Sequence, residues 1–182
     1  MHRALFLDRD GVLNTDHGYI GSIDRFDVIP GVAEALSRVS SLGYRLIVVT
    51  NQSGIARGYF TTEDYDRVTR HMVATFAARG VYFSGIYHCP HHPDGQEPAF
   101  AAVCDCRKPL PGMILRACAE HHIDPARSIM VGDRLSDLAA GDAAGVRRCF
   151  LIGTSVEPGR QSFRSLAEFV DSAIFATLAA ER

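Results

Sequence analysis

The chain has 182 residues, of which 47% are hydrophobic, enough to bury one good core within one domain spanning residues 1–182. Its 19 basic residues nearly balance 21 acidic ones, for a net charge of −2, so no overall basic character points to nucleic acid or an anionic membrane surface. No apolar run approaches the roughly 20 residues of a membrane span, and the first strand begins too early for a leader, so a cytoplasmic protein is expected.

The organising stretch is LFLDRDGVLN, residues 5 to 14. Its apolar residues run without alternation from Ala4 to Leu7, as in a strand buried on both faces, and stop at Asp8 and Asp10. The two carboxylates therefore sit at a strand end, where open α/β sheets bind ligands. Carboxylates so close repel unless a cation or a shared proton relieves them, which suggests Asp8 as a nucleophile beside a divalent metal and Asp10 as acid and base. A solvated Asp-Arg-Asp-Gly turn is the alternative.

After a polar loop holding His17, Gly18 and Tyr19, a helix follows Pro30-Gly31, with Val32, Ala35, Leu36, Val39 and Leu42 as its inner stripe and Gly43 as its stop. Arg45 to Val49 reads as a second buried strand, ending at Thr50 and Asn51. The loop SGIARGYF, residues 53 to 60, brings Arg57 within reach of an anion, and Thr61 with Asp64 forms a capping box for a helix carrying Val68, Met72 and Phe76. A third strand, about Gly85 to His88, leads into a cysteine-rich loop. Pro111 opens a helix with Ile114, Leu115 and Cys118 facing inward. Ser128 to Val131 is the next strand, closed by Gly132-Asp133, with a helix from about Ser136. Arg147 to Ile152 makes a last strand before one C-terminal helix using Leu166, Phe169, Val170 and Ile174. Strands alternating with helices imply a Rossmann-like α/β fold, a parallel sheet with helices on both faces.

Three of the five cysteines lie between residues 89 and 106. Cys89, His91, Cys104 and Cys106 offer three thiolates and an imidazole, the closed tetrahedral set that structural zinc prefers, with His92 as a rival ligand. The polar, Pro- and Gly-containing stretch between them would hold no shape without a staple. Cys118 and Cys149 fall on apolar faces and read as core.

Strand ends thus supply Asp8 and Asp10, Thr50 and Asn51, and Asp133 with Asp137, while Lys108 follows the cysteine loop. A phosphate monoesterase needs this set: a nucleophile, donors for phosphoryl oxygens, and acids for a metal. DRDG, a strand ending in Thr, a downstream Lys and GDRLSD resemble, in this order, the four motifs of the haloacid dehalogenase (HAD) superfamily. The resemblance implies that Asp8 attacks phosphorus, that Asp10 protonates the leaving oxygen and later activates water, and that Thr50 and Lys108 hold the phosphoryl group. It implies catalytic magnesium on the side chains of Asp8 and Asp133 and the backbone carbonyl of Asp10. Asp137 would hold an outer-shell water or orient Lys108.

DRDGVLN, DHGY, TNQSGIARGYF and CDCRKPLPGM further resemble a bacterial branch of the superfamily that dephosphorylates a sugar bisphosphate for lipopolysaccharide synthesis. Histidinol-phosphate phosphatases, with a shorter zinc loop, are its nearest relatives and the second reading; a catalytically silent zinc-loop binding protein is the third. Resemblance makes Asn51, Ser53, Arg57 and Arg107 the substrate contacts. No segment is long enough for a cap domain, so loops must shape the pocket of what is expected to be a monomer acting on a small phosphosugar, without nucleic-acid or membrane partners.

Overall fold

The structure, a computed structural model, describes residues 1–153 and 158–181. Six strands in the order β3-β2-β1-β4-β5-β6, all parallel, form one sheet among the described residues. They are β1 (Arg3–Leu7), β2 (Tyr44–Asn51), β3 (Gly85–Cys89), β4 (Ile129–Gly132), β5 (Arg148–Ile152) and β6 (Ser162–Phe163). The helices are α1 (Val32–Ser41), α2 (Thr62–Ala77), α3 (Gly112–His121), α4 (Leu135–Ala143), α5 (Leu166–Asp171) and α6 (Ala173–Ala180).

Successive side chains on β1 serve opposite faces, as strand geometry requires. Leu5 and Leu7 join α1, α2, α5 and α6 in one apolar layer; Ala4 and Phe6 join α3 and α4 in the other. Both faces of β1 are covered, which explains its unbroken apolar run. The chain proceeds outward from β1 to β2 and β3, then crosses back to β4 on the other side. The C-terminal ends of β1 and β4 consequently flank a topological switch point, where the two outgoing loops diverge and leave a crevice.

Local signals act as the sequence suggests at several places. Thr61 accepts the Asp64 amide at 3.1 Å and Asp64 accepts the Thr61 amide at 2.8 Å, closing the box that starts α2. Such a cap is worth about 0.5–2 kcal/mol. Gly43 takes φ +85° after α1, a conformation that a β-carbon would strain.

Other expectations are corrected. Leu42 and Leu115 do not face inward; they are 45% and 49% exposed, because α1 ends at Ser41 and because Met113, Ile114 and Ala117 supply the buried stripe of α3. The C-terminal helix is two helices, broken at Ser172, whose hydroxyl caps α6 by accepting the Phe175 amide at 3.2 Å. β5 is not the last strand: β6 adds two residues beyond it, too short to show any periodicity in sequence. No described helix is long and apolar enough to cross a membrane.

Candidate active site

Asp8 and Asp10 follow β1, Thr50 and Asn51 end β2, Asp133 follows β4, and Asp137 lies in the first turn of α4. Lys108 arrives from the loop between β3 and α3. Its ammonium has three donors, and all three are used: Asp8 Oδ1 at 2.7 Å, Asp137 Oδ1 at 2.6 Å and the Val49 carbonyl at 2.7 Å. The Lys108 backbone is fixed as well, donating to Asn51 Oδ1 and accepting from Asn51 Nδ2, each at 3.0 Å. Asn51 lines the cleft, yet its amide is spent on holding Lys108.

Burial pushes the Asp8 carboxyl up to about 7; Lys108 opposes the rise, while Asp137, Asp10 and Asp133 add to it. Burial, then Asp137, likewise raises Asp133 to about 6. Lys108 itself stays charged: burial works against the ammonium, but Asp8 and Asp137 outweigh it and move it upward. Lys108 serves Asp8 and Asp137, and Arg134 is shared between Asp16 at 3.0 Å and Asp133 at 3.8 Å, so two cations face four acids and the surplus negative charge calls for another. Oxygen atoms of Asp8, Asp133 and Asp137 lie within 4.8 Å of one another, and Asp133 Oδ1 is buried without a hydrogen-bond partner. An orphaned carboxylate oxygen among such neighbours fits a hard dication. Space is kept by Gly11, at φ +86°, where a β-carbon would stand 2.6 Å from Asp133 Oδ2.

Asp10 is held otherwise. Arg9 grips it through Nε at 3.1 and 3.2 Å and through one terminal nitrogen at 2.9 Å; Asn14 donates to Oδ1 at 3.0 Å and Gln52 to Oδ2 at 2.9 Å. Gln52 also donates to Thr50 Oγ1 at 2.9 Å and accepts from Arg9 at 3.1 Å. The sequence reading missed Arg9 and Gln52.

Asp8, Asp10, Gln52, Lys108 and Asp137 floor a cleft of about 420 Å³, whose rim carries Arg57, Arg107 and Arg134, with Ser53 and Tyr19 in its wall. Arg134, also missed, pairs with Asp16 at 3.0 Å. It follows Asp133 in what reads as a plain turn, so only the fold reveals its place.

Beside the rim, Cys89, His91, Cys104 and Cys106 converge. Sulfur–sulfur distances are 3.1, 3.3 and 3.5 Å, and His91 Nδ1 lies 3.5 and 3.7 Å from two of the sulfurs. Bonds of about 2.3 Å to sulfur and 2.0 Å to nitrogen in a tetrahedral site give edges of roughly 3.8 and 3.5 Å, so an ion would need to spread the sulfurs by only tenths of an ångström. None of the cysteines forms a disulfide. Burial drives the Cys89 thiol far up, so its thiolate requires a cation. His92 is no ligand; it meets Arg57 at 2.9 Å instead, and His88 stacks on Tyr65 at 4.1 Å.

The cysteine loop is bound to the loop of residues 53 to 60. The Ala56 carbonyl accepts the amides of Gln96 at 2.7 Å and Glu97 at 2.9 Å, and Phe100 packs on the cluster of Ile55, Phe60 and Tyr65. Arg107 reaches the His91 carbonyl at 3.4 Å.

Comparison with known proteins agrees with this geometry. Residues 105–165 match the Hydrolase_like family, described as "HAD-hyrolase-like". The chain is similar to D-glycero-beta-D-manno-heptose-1,7-bisphosphate 7-phosphatase of Pasteurella multocida (strain Pm70), at 47% identity over 93% of this chain and 91% of that one. The enzyme of the same name from Escherichia coli (strain K12) is 52% identical over 83% and 79%. Among solved structures, D,D-heptose 1,7-bisphosphate phosphatase from B. bronchiseptica, complexed with magnesium and phosphate, superposes with a TM-score of 0.82 at 31% identity, covering 96% of this chain and 99% of that one. The Burkholderia thailandensis protein of that name gives 0.64 at 30%, covering 92% and 96%. The chain therefore belongs to the D-glycero-beta-D-manno-heptose-1,7-bisphosphate 7-phosphatase family of HAD-like hydrolases.

Proposed function

We propose that residues 1–182 form one phosphatase domain, monomeric in solution, that removes the 7-phosphate of D-glycero-β-D-manno-heptose 1,7-bisphosphate and leaves the 1-phosphate, for ADP-heptose and lipopolysaccharide core synthesis. The observation that carries this is Asp8 on the floor of an arginine-rimmed cleft, with one oxygen locked to the Lys108 ammonium. The β anomer follows the names of the curated relatives.

Asp8 attacks phosphorus as the bond to the sugar oxygen breaks, forming an aspartyl phosphate. Asp10 gives its proton to the departing oxygen, then takes one from the water that attacks the same phosphorus and frees phosphate and Asp8. Lys108, whose N–H on Asp8 Oδ1 is freed as Asp8 bonds phosphorus, and the Thr50 hydroxyl offer donors to the phosphoryl oxygens, and Asn51, Ser53, Arg57 and Arg107 line the path of the sugar. Asp8 and Asp133, with the Asp10 carbonyl, would hold magnesium, which offsets the charge of the phosphoryl group. Asp137 orients Lys108. Zinc on Cys89, His91, Cys104 and Cys106 would be structural, fixing the loop that bears Arg107.

The choice of a bisphosphate rests on the rim. Arg57 and Arg107 suit a second phosphate, whereas the cationic amine of histidinol phosphate would meet like charge. Release of phosphate from the two substrates with magnesium tests the reading. A kcat/KM for histidinol phosphate equal to or above that for the heptose bisphosphate would refute it; no turnover of either, with metals supplied, would favour a silent binding protein.

A further inference from the structure

Arg9 is 1% exposed, among the largest fully buried side chains, and does not line the cleft. Its position in the fold is therefore not explained by contact with substrate. Its guanidinium lies 5.8 Å from the Tyr65 ring centre, over the ring face, and one terminal nitrogen is buried without a hydrogen-bond partner. Burying a permanent cation so incompletely satisfied is costly, and what it obtains in return is Asp10. Both Asp10 oxygens are taken: Oδ1 by Arg9 and Asn14, Oδ2 by Arg9 and Gln52. Gln52 then spans from Asp10 to the Thr50 hydroxyl, so one amide spaces the acid from a phosphoryl-binding donor.

We infer that Arg9 and Gln52 are positioning residues for the reaction: together they aim the Asp10 carboxylate at the leaving oxygen, without touching the substrate in the case of Arg9. The planar fork of Arg9 fixes the carboxylate plane, which a point charge could not do. Gln52 sets its distance from Thr50. This rests on the phosphatase reading above, in which Asp10 is the acid and base.

Leaving-group chemistry separates this role from mere support of the fold. A sugar alkoxide needs Asp10's proton to depart; 4-nitrophenolate does not. Arg9→Met should lower kcat for the heptose bisphosphate by about 10²-fold with KM changed less than about twofold, while the burst of 4-nitrophenol from single-turnover cleavage of 4-nitrophenyl phosphate slows less than about threefold. Arg9→Lys should not restore the rate, because it lacks the fork. Gln52→Leu should show the same split, smaller, and carries the test if Arg9→Met does not fold. Equal losses on both substrates, or no loss on either, would overturn the inference. Asp10→Asn run beside them keeps the two readings apart: if it lacks the split, the acid assignment fails, and if it shows the split while the Arg9 and Gln52 variants do not, only the positioning role fails.

Discussion

The molecule holds two clusters fit for metal ions, built in opposite ways. Asp8 comes from one strand end, and Asp133 and Asp137, more than a hundred residues later, from another strand end and the helix start beside it; the sheet brings them together. Cys89, His91, Cys104 and Cys106 come from one stretch of eighteen residues that has no strand or helix after β3 ends. The first cluster has an internal counterion, Lys108, and each of its acids follows a strand or opens a helix; in the second only Cys89 lies in a strand, and the other three ligands sit on loop. An oxygen site can then exchange its ion and keep its shape, whereas a sulfur site depends on its ion for shape. Catalysis requires the former, and a staple requires the latter.

The largest effect should come from Asp8→Asn, which on the proposed mechanism removes the nucleophile. Steady-state turnover should vanish while the melting temperature and zinc content stay near wild type; substantial turnover by the purified variant would exclude the covalent route. Asp10→Asn should cost about 10²–10⁴-fold in kcat.

Breaking the other cluster should act on a different quantity. Cys104→Ser should release zinc and loosen the loop that ties Ala56 to Gln96 and Glu97, so KM for the bisphosphate rises more than kcat falls. Mild EDTA should leave about one zinc per chain in the wild type, with activity returning on magnesium alone. Zinc-free protein with an ordered loop, seen by amide exchange, would erase the contrast between the two clusters.

The carboxylate cluster should also show itself in pH dependence. Asp8 and Asp133 have folded-state values raised to about 7 and about 6 from an ordinary 3.8. Raised carboxyls favour the fold when protonated, so their contribution is complete below 3.8 and is lost as pH rises towards 7. Metal-free wild type should therefore melt progressively lower across that window relative to Asp133→Asn, and magnesium should reverse the loss above it. A difference between the two proteins that does not vary with pH would contradict the charge surplus at the site.

The smallest effect belongs to the rim. Arg107→Ala should lose about 1.5–3 kcal/mol of preference for the bisphosphate over a heptose monophosphate. Turnover of the monophosphate should hardly change. An equal loss on both substrates would move Arg107 from the second phosphate to the first.

How much of this was legible in the sequence depended on whether a residue's role was local. Strand ends, the Thr61–Asp64 cap and the Cys89-to-Cys106 loop declared themselves through spacing that neighbours in the chain determine. Lys108 and Asp133 needed the ordered motif set, because each alone reads as an ordinary surface lysine or turn. Arg9, Gln52 and Arg134 stayed hidden: Arg9 adjoins Asp10 in the chain, but its burial against Tyr65 and its bond to Gln52 come only from the fold, as do the partners of Gln52 and Arg134. Leu42 and Leu115 erred the other way, since periodicity says which face an apolar side chain could join but not where the neighbouring element stops.

The grip of Asn51 on both polar groups of the Lys108 backbone has a further meaning. It is a mooring. The stretch from Pro90 to Arg107 runs between β3 and that fixed point, tied to Ala56 on its way, so movements of the loop are absorbed before they reach the ammonium. The Lys108 ammonium is thereby held by a bond to β2 that does not pass through the loop, and the amide of Asn51 sets its position whatever surface the loop carries.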